Sequence, residues 1–356
     1  MWRVVGSRRP MIKYIGSKRK LIPHILQVVE SLPQIHTVLD LFSGTARVGH
    51  ALKQRGYRVT SNDHNAYAYR LAQCYVQADA DRWREPAEAL IAELNRLPGQ
   101  PGYFTTTFCE KSRYFQPHNG ARVDAIREAI AGKDLPPELE AIVLVSLMEA
   151  ADRVDSTVGV QMAYLKQWAP RAYNDLSMRV PALLQGEGRA LQLDATQAAA
   201  SGTFDLAYLD PPYNQHKYRN NYHVWETLVQ WDEPEVYGVA CKRVDCRAYA
   251  SDFNSRARIA QALSDVLAQV DARFLLISFN NEGYLDADTV VALLAEQADV
   301  SVIRVEHQRY VGAQIGIYNP QGVKTGSVSH LRNQELLFVA DRSRSGVLAG
   351  LQASSR

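Results

Sequence analysis

The four residues Asp210-Pro211-Pro212-Tyr213 have types that could bind an amino group carried on an aromatic ring. They follow an apolar run, residues 204–209, which predicts a buried strand that ends at Asp210. Proline fixes φ and lacks a backbone N–H, so this segment is rigid and its carbonyls point outward as acceptors. A carboxylate and a neighbouring carbonyl can accept two hydrogen bonds from one amino group, and the tyrosine ring can stack on the ring that carries it.

This arrangement suits methyl transfer to an amino group outside a base ring. The nitrogen lone pair is delocalised into the ring, so the nitrogen is a poor nucleophile. Two acceptors on its hydrogens favour a pyramidal nitrogen of higher electron density, to which a sulfonium methyl group can pass in line without a metal. A simpler interpretation, that the prolines only end a strand, does not account for Tyr213 and the buried strand together.

A second group of chemically suitable residues surrounds a turn after the apolar run 37–42. A strand that meets a glycine-bearing turn and then a helix presents backbone N–H groups to a ligand. An acid about 20 residues further on can accept the hydroxyls of a ribose, and the acid beside the turn could reach a cationic amino group. The alternative is that both acids only cap turns. The candidate cofactor residues here are Asp40, Phe42, Ser43, Gly44 and Asp63.

A dinucleotide-binding dehydrogenase is the natural competitor for this turn. Such a turn would carry G-x-G-x-x-G to admit a pyrophosphate. Here Ala46 stands where a second glycine is expected after Gly44, which argues against a dinucleotide.

Bulk properties exclude several classes of protein. The formal charge of the 356-residue chain is only +2, so a nucleic-acid partner would need a local basic face. The four cysteines fit neither a disulfide framework nor a zinc pattern. No apolar run approaches the ~20 residues of a membrane span, and residues 1–10 lack the apolar segment of a secretory signal. We therefore expect a cytoplasmic protein that binds no metal.

Strand and helix patterns alternate along the chain, as in a doubly wound α/β domain. A mostly helical segment, 81–187, separates two groups of strands and concentrates aromatic and basic residues. We predict a discontinuous core of residues 1–80 and 188–342, a helical insertion at 81–187, and a disordered tail at 343–356. Strands are expected at 37–42, 58–63, 190–193, 204–209, 274–279, 300–311 and 336–339, with a hairpin limb at 315–323.

Basic residues near Tyr213 and in the insertion are candidates for contact with the phosphates or bases of a nucleic acid. Each could equally be part of a solvated helical face. The two that follow Tyr213 are the better candidates, because they should lie at the mouth of the site. These candidates are Lys111, Arg113, Arg122, Lys217 and Arg219.

Taken in order, these motifs resemble the Dam-type, or alpha-group, site-specific DNA adenine-N6 methyltransferases, over nearly all of residues 11–339. The resemblance implies a Rossmann-like core that binds S-adenosylmethionine and releases S-adenosylhomocysteine. It implies that residues 13–18 hold the methionine end of the cofactor and that residues 278–281 form a loop that helps to shape the target pocket. It also implies that the insertion at 81–187 is the target-recognition region. The matching residues are Lys13, Tyr14, Gly16, Asp40, Phe42, Ser43, Gly44, Asp63, Asp194, Asp210, Pro211, Pro212, Tyr213 and Asn280.

The resemblance further implies double-stranded DNA as the substrate, extrusion of the target base, and a cytoplasmic enzyme of bacterial or phage type. It suggests the modification enzyme of a restriction-modification system, with a cognate endonuclease acting separately. Ala46 and the segment 214–243 depart from the shared pattern.

Other activities stay open from the residues alone. Methylation of cytosine N4 uses the same chemistry, although relatives with that activity usually begin the motif with serine instead of the acid found at Asp210. An RNA or protein-amide methyltransferase, or a DNA-binding module that holds the cofactor without catalysis, is a further alternative.

Overall fold

The computed structural model describes residues 11–280, 283–308, 317–318, 324–326 and 332–350. Two compact units share the chain, and each is assembled from separate stretches of sequence. The first unit contains residues 11–20, 36–198 and 216–250, and the second contains residues 21–35, 199–215 and the described residues from 251 onward.

The described residues form thirteen α-helices and eleven strands, besides short 3-10 and π-helical turns. The strands are β1 Thr37–Asp40, β2 Arg58–Asn62, β3 Arg189–Leu191, β4 Thr203–Leu209, β5 Val236–Tyr237, β6 Lys242–Arg243, β7 Asp271–Asn280, β8 Asp299–Gln308, β9 Ile317–Tyr318, β10 Lys324–Gly326 and β11 Arg332–Asp341. The helices are α1 Ile22–Ser31, α2 Arg47–Gln54, α3 Ala66–Ala72, α4 Ala80–Asn95, α5 Tyr103–Thr105, α6 Pro117–Ala131, α7 Pro137–Arg153, α8 Ala195–Ala199, α9 Tyr218–Asn221, α10 His223–Gln230, α11 Asp245–Ala248, α12 Ile259–Gln269 and α13 Ala287–Ala295.

In the first unit, three parallel strands follow the order β3-β2-β1. Parallel strands are buried on both faces and therefore read as nearly continuous apolar runs, as Val38, Leu39 and Val59 illustrate with no exposed surface. Because the strands are parallel, their carboxyl ends share one edge, where ligands bind in α/β proteins. Asp40 ends β1 at that edge and Asp63 directly follows β2.

In the second unit, four strands follow the order β4-β7-β11-β8. β4 and β7 are parallel, whereas β11 runs antiparallel to both β7 and β8. Helices alternate with the strands along the sequence in both units. The predicted doubly wound, Rossmann-like α/β fold is confirmed, with an antiparallel strand in its second unit. Of the predicted hairpin limb 315–323, only β9 falls within the described residues.

The predicted helical character of residues 81–187 is confirmed by α4, α6 and α7. Helix α7 has buried side chains on all sides, which explains its nearly continuous apolar sequence. Residues 81–187 belong to the same compact unit as β1, β2 and β3. Their assignment as a separate target-recognition region stays a prediction.

The prediction of a disordered tail from Ser343 is wrong for residues 343–350. The carboxylate of Asp341 accepts hydrogen bonds from the backbone N–H and hydroxyl groups of Ser343 and Ser345, which form a turn after β11. A 3-10 helix, Val347–Gly350, follows and buries Leu348. Residues 351–356 lie outside the described residues. Within the described part of the chain, no helix is long and apolar enough to cross a membrane.

Candidate functional site

The first unit closes the glycine turn with a carboxylate from the next strand. The backbone N–H of Gly44 donates to Asp63 Oδ2 over 2.9 Å, and Gly44 adopts a φ of +52°. The N–H of Ser43 donates to the carbonyl of Asn62 over 2.8 Å, so the turn is fixed to the end of β2. The two residue groups predicted to bind the cofactor, the turn and the acid about 20 residues later, are therefore in direct contact.

The carboxylate of Asp63 is held on its other side by Asn65. The backbone N–H and the side-chain amide of Asn65 donate to Asp63 Oδ1 over 2.9 and 3.0 Å. Removal of water by the surrounding protein raises the pKa of Asp63 to about 6, against the opposing effect of the hydrogen bonds from Asn65 and Gly44. A carboxylate offers about four acceptor positions, so Oδ2 keeps room for one further hydroxyl.

Asp40 faces inward. Its carboxylate is 1% exposed, and its Oδ2 accepts from the Gly49 N–H over 3.1 Å and from the Ser61 hydroxyl over 3.4 Å. A Cβ at Gly49 would lie 2.5 Å from Ser61 Oγ, so only glycine fits there. These contacts give Asp40 a part in joining β1, β2 and α2. The predicted contact with a cationic amino group stays a prediction.

Ala46 takes the backbone conformation that a glycine would adopt without strain. Its φ is +57° and its side chain is fully buried. The left-handed region costs a residue with a Cβ about 1–2 kcal/mol. Alanine at position 46, where the family pattern has glycine, therefore adopts a glycine-like backbone conformation at a small energetic cost.

A stack of three tyrosine rings stands beside the turn. Tyr14 lies between Tyr218, at 5.2 Å and 7°, and Tyr222, at 4.5 Å and 14°. The Tyr14 hydroxyl lies 3.1 Å from that of Tyr67, and the Tyr222 hydroxyl accepts from the Ile15 N–H over 2.6 Å. Burial raises the pKa of Tyr14 well above its ordinary value, so the phenol stays neutral.

Two predicted glycines lie where these rings approach the backbone. A Cβ at Gly16, whose φ is +73°, would lie 2.8 Å from the hydroxyl of Tyr218, which is too close. At Gly44 a Cβ would make an ordinary contact of 3.4 Å with the ring of Tyr14, and the positive φ of +52° is what favours glycine. Sequence reasoning did not identify Tyr218 and Tyr222. Their spacing of four residues was the available signal, because residues so spaced lie on one face of a helix.

Glu226 supports the same region from α10. Its carboxylate oxygens accept from the backbone N–H groups of Ala66, over 3.2 Å, and Tyr67, over 3.1 Å. These are the first N–H groups of α3, which have no partner within the helix, and a negative charge there is favourable. Because α3 begins just after Asp63, Glu226 fixes the loop that carries Asp63, the acid predicted to bind the ribose.

The remaining predicted cofactor residues differ in their surroundings. Lys13 Nζ donates to Asp155 Oδ1 over 2.6 Å and to the carbonyl of Asp152 over 2.7 Å, so its ammonium group is bound by the insertion. Asp194 is exposed and accepts from the N–H and hydroxyl of Thr196. Partial burial raises the pKa of Asp194, but those hydrogen bonds outweigh it and lower the pKa below its ordinary value. Phe42 is half-buried in the turn.

The turn has features that fit S-adenosylmethionine. The hydroxyl of Ser43 is buried without a hydrogen-bond partner among the described residues, and such a group ordinarily requires one. Gly44 leaves room for close approach to the backbone, and Asp63 Oδ2 retains acceptor capacity. A ligand with ribose hydroxyls and an amino-acid end would meet these requirements.

Two of the basic residues predicted to contact DNA are committed to the protein itself. Arg122 donates to the carbonyls of Asn95, over 2.9 Å, and of Leu97, and so caps the end of α4. Arg219 donates to Asp245 over 2.7 Å, and only 16% of its side chain is exposed. Both arginines therefore have structural partners that the sequence did not indicate, and these contacts argue against the predicted role.

Of the other three basic candidates, only Lys111 is fully exposed. Arg113 is half-exposed over the ring of Trp168, at 4.8 Å, and also donates to the carbonyl of Lys166 over 3.2 Å. Lys217 donates to the carbonyl of Tyr249 over 3.1 Å. Their contact with DNA stays a prediction.

In the second unit, the predicted catalytic motif directly follows β4. Asp210 Oδ1 accepts a hydrogen bond from the hydroxyl of Ser278 over 3.0 Å. The ring of Tyr213 contacts that of Phe279, with centroids 5.6 Å apart, and its carbonyl accepts from the Tyr284 N–H over 2.8 Å. A Cβ at Gly283 would lie 3.4 Å from Tyr213 Cβ, so the chain passes close beneath this tyrosine.

The segment around this motif is fixed on both sides. Pro211 is buried and Pro212 is half-buried. The side-chain amide of Asn254 donates to the carbonyl of Asn214 over 2.7 Å, just after the motif. Asn280, predicted to lie in the target pocket, donates its amide to Glu335 of β11 over 3.2 Å. Asn280 is the last residue of β7, two residues beyond Ser278, and its hydrogen bond to Glu335 helps to join β7 to β11.

Comparison with known proteins gives one family and several relatives. The family model described as D12 class N6 adenine-specific DNA methyltransferase matches residues 14–292. The type II methyltransferase M.NlaIII of Neisseria lactamica is 28% identical over 283 residues, which cover 76% of this chain and 83% of that protein. The type II methyltransferase M.FokI of Planomicrobium okeanokoites is 28% identical over 323 residues, which cover 84% of this chain and 49% of that protein.

The modification methylase StsI of Streptococcus sanguinis is 28% identical over 291 residues, 76% of this chain and 44% of that protein. The chain thus spans about half the length of M.FokI and StsI and most of M.NlaIII. A solved structure, magnesium protoporphyrin IX methyltransferase from Synechocystis PCC 6803 with bound SAM, covers 90% of this chain at 7% identity and a TM-score of 0.31. Likeness at that level has no bearing on activity.

Proposed function

Because this chain belongs to the D12 class of N6 adenine-specific DNA methyltransferases, we propose that it methylates adenine N6 at a specific sequence in double-stranded DNA. The resemblance inferred from the sequence motifs is confirmed by this membership. The methyl donor is S-adenosylmethionine, which supplies a sulfonium methyl group when bound.

The observation that carries the proposal is the arrangement around Asp210. Its carboxylate lies at the end of β4 and is held by Ser278 on the neighbouring strand. Two prolines follow, and then Tyr213, whose ring is supported by Phe279. A fixed acceptor beside a fixed aromatic surface suits an amino group on a flat ring.

In the proposed reaction, Asp210 and the adjacent main-chain carbonyl accept hydrogen bonds from the two N6 hydrogens. They align the nitrogen lone pair for in-line attack, and such positioning supplies much of the rate enhancement. The adenine has to leave the duplex first, at a cost of a few kcal/mol. Stacking on Tyr213 compensates for part of the stacking lost in the helix.

We assign the donor side to the first unit. Asp63 is proposed to accept a ribose hydroxyl through Oδ2, where an acceptor position remains. Ser43 and Gly44 are proposed to line the methionine end, with Tyr14 beside them. Lys111, Arg113 and Lys217 are the basic residues proposed to contact DNA, and residues 81–187 are proposed as the target-recognition region.

The test is incubation with S-adenosylmethionine labelled in its methyl group and with DNA of varied sequence, followed by digestion to nucleosides. The expected label is in N6-methyldeoxyadenosine. The Asp210→Ala variant should transfer no detectable label while binding the cofactor as the parent does. Label confined to cytosine would contradict the proposal, and loss of cofactor binding in the variant would assign Asp210 a structural role.

We further propose that the enzyme protects DNA against a cognate endonuclease, acting in the cytoplasm where that DNA lies. Support comes from its relatives, which are named as type II methyltransferases and modification methylases. DNA methylated by this protein should resist one endonuclease that reads the same sequence. Cleavage of fully methylated DNA by every endonuclease of that specificity would contradict the pairing.

A further inference from the structure

We propose that Ser278 and Tyr208 are positioning residues that orient the Asp210 carboxylate through two hydroxyl groups in series. The inference rests on the proposed catalytic role of Asp210. It gives two buried polar residues of the second unit a part in the reaction, although neither is expected to touch the substrate.

The register of the sheet brings these residues together. β4 and β7 are parallel, with Tyr208 opposite Leu276 and Leu209 opposite Ile277. One residue further, Asp210 leaves β4 beside Ser278. Ser278 Oγ lies 3.0 Å from Asp210 Oδ1 and 2.9 Å from the Tyr208 hydroxyl.

The direction of the two hydrogen bonds follows from counting protons. An ionised carboxylate can only accept, so Ser278 donates its single proton to Asp210. Ser278 can then only accept from Tyr208, which must be the donor of the second bond. Both protons therefore point along the series toward Asp210.

Burial makes this arrangement rigid. Ser278 has no exposed surface, and Tyr208 is 1% exposed. Polar groups in such surroundings keep their hydrogen bonds, because water does not replace a lost partner. The side chain of Asp210 is thereby held in one orientation before any base arrives, and a fixed acceptor does not have to reorganise during transfer.

The phenol of Tyr208 acts on Asp210 through the serine in this scheme. Its removal should therefore lower activity less than removal of the Ser278 hydroxyl, which contacts the carboxylate directly.

The experiment compares Ser278→Ala and Tyr208→Phe in steady-state methylation of duplex DNA. Ser278→Ala should lower kcat about 10–100-fold, with KM for DNA and Kd for S-adenosylmethionine within about twofold of the parent, as expected for an acceptor that loses its alignment. Tyr208→Phe should lower kcat less, by about 3–10-fold. Ser278→Thr, which keeps the hydroxyl, should recover most of the activity.

Ser31→Ala is the matched control in the same unit, since the Ser31 hydroxyl donates to the carbonyl of Val28 over 2.6 Å. It should keep the parental kcat. A parental kcat in Ser278→Ala would overturn the proposal, and so would a loss in Tyr208→Phe that exceeds the loss in Ser278→Ala. Thermal unfolding of each variant identifies any that fail to fold.

A readout independent of activity separates this inference from the proposed function. A crystal structure of the parent should show Asp210 in one rotamer. A crystal structure of Ser278→Ala should show Asp210 in several rotamers. If the parent transfers no methyl group to DNA, the proposed function fails. The rotamers of Asp210 in the two crystal structures then still test whether Ser278 orients this carboxylate. An unchanged single rotamer in Ser278→Ala would refute it.

Discussion

The two units build their candidate sites in different ways. In the second unit, four consecutive residues after β4 supply the proposed acceptor site, with support from the adjacent strand β7. In the first unit, the proposed cofactor site draws on residues far apart in sequence, since Tyr14 stacks on Tyr222 and Glu226 caps α3. A compact motif places the acceptor, whereas distant contacts shape the donor side. Substitutions in the two units should therefore have different signatures.

The largest effect is expected in the second unit, from Asp210→Asn. The amide keeps the shape of the side chain but replaces one acceptor oxygen with a donor, which cannot accept from the target amine. We expect kcat to fall at least about 100-fold, in the range seen for loss of a general base or an oriented electrostatic group. Single-turnover methylation of duplex DNA measures this. A loss below tenfold would indicate that the main-chain carbonyl suffices.

In the first unit, the donor side should respond to pH through Asp63, whose pKa is raised to about 6. Above that pH the carboxylate is ionised and accepts the ribose hydroxyl, and below it the group is protonated. We expect the affinity for S-adenosylmethionine to be about tenfold weaker at pH 5 than at pH 7, the change that one pH unit below the pKa produces. Calorimetric titration at each pH measures this.

Asp63→Asn should bind the cofactor weakly and with little pH dependence in that window. Asp286→Asn, at the start of α13 in the second unit, is the control and should keep the parental pH dependence, because hydrogen bonds from Thr289 lower the pKa of Asp286 and the group stays ionised throughout. Parental pH dependence in Asp63→Asn would mean that another group is responsible.

The glycine turn offers a paired test of backbone strain. Gly44→Ala should lower the free energy of unfolding by about 1–2 kcal/mol, because a Cβ is disfavoured at the positive φ of +52°. Ala46→Gly relieves similar strain at φ +57°, but it loses a buried methyl worth about 0.8 kcal/mol. We expect the second variant to stay within about 1 kcal/mol of the parent. Chemical denaturation compares them, and equal losses would contradict the assigned conformations.

The smallest effect is expected from Tyr222→Phe. The ring remains to stack on Tyr14, while the hydroxyl that accepts from the Ile15 N–H and donates to the Gly159 carbonyl over 3.3 Å is lost. Each such hydrogen bond contributes about 1 kcal/mol to stability, and only part of that loss reaches the cofactor site, so affinity for the cofactor should fall about fivefold or less. Tyr222→Leu, which removes the ring as well, should fall further. Equal affinities in both variants would mean that the stack does not support the cofactor site.

The same difference between the units decides what the sequence could predict. Asp210 and Tyr213 are adjacent, and their chemistry follows from residue types and from the strand before them. The turn at Gly44 and the acid at Asp63 are joined by a βα unit of ordinary length, so their contact was also predictable. The alternating strand and helix patterns predicted the α/β class, but the order of the strands comes from the structure.

The remaining contacts depend on tertiary structure. No local pattern shows that Tyr218 and Tyr222 enclose Tyr14, about 200 positions earlier in the chain. Nor does local sequence distinguish a basic residue that caps a helix, as Arg122 does, from one that is free to meet a phosphate. Charge and helical spacing are the same in both cases, and only the fold supplies the partner.

Titration of S-adenosylmethionine into Asp63→Ala and Asp210→Ala, in the absence of DNA, tests the division between donor and acceptor sites most directly. The division predicts that Asp63→Ala binds the cofactor at least about tenfold more weakly, from the loss of a charge-assisted hydrogen bond, and that Asp210→Ala binds it as the parent does. Equal weakening in both variants, or weakening only in Asp210→Ala, would contradict it.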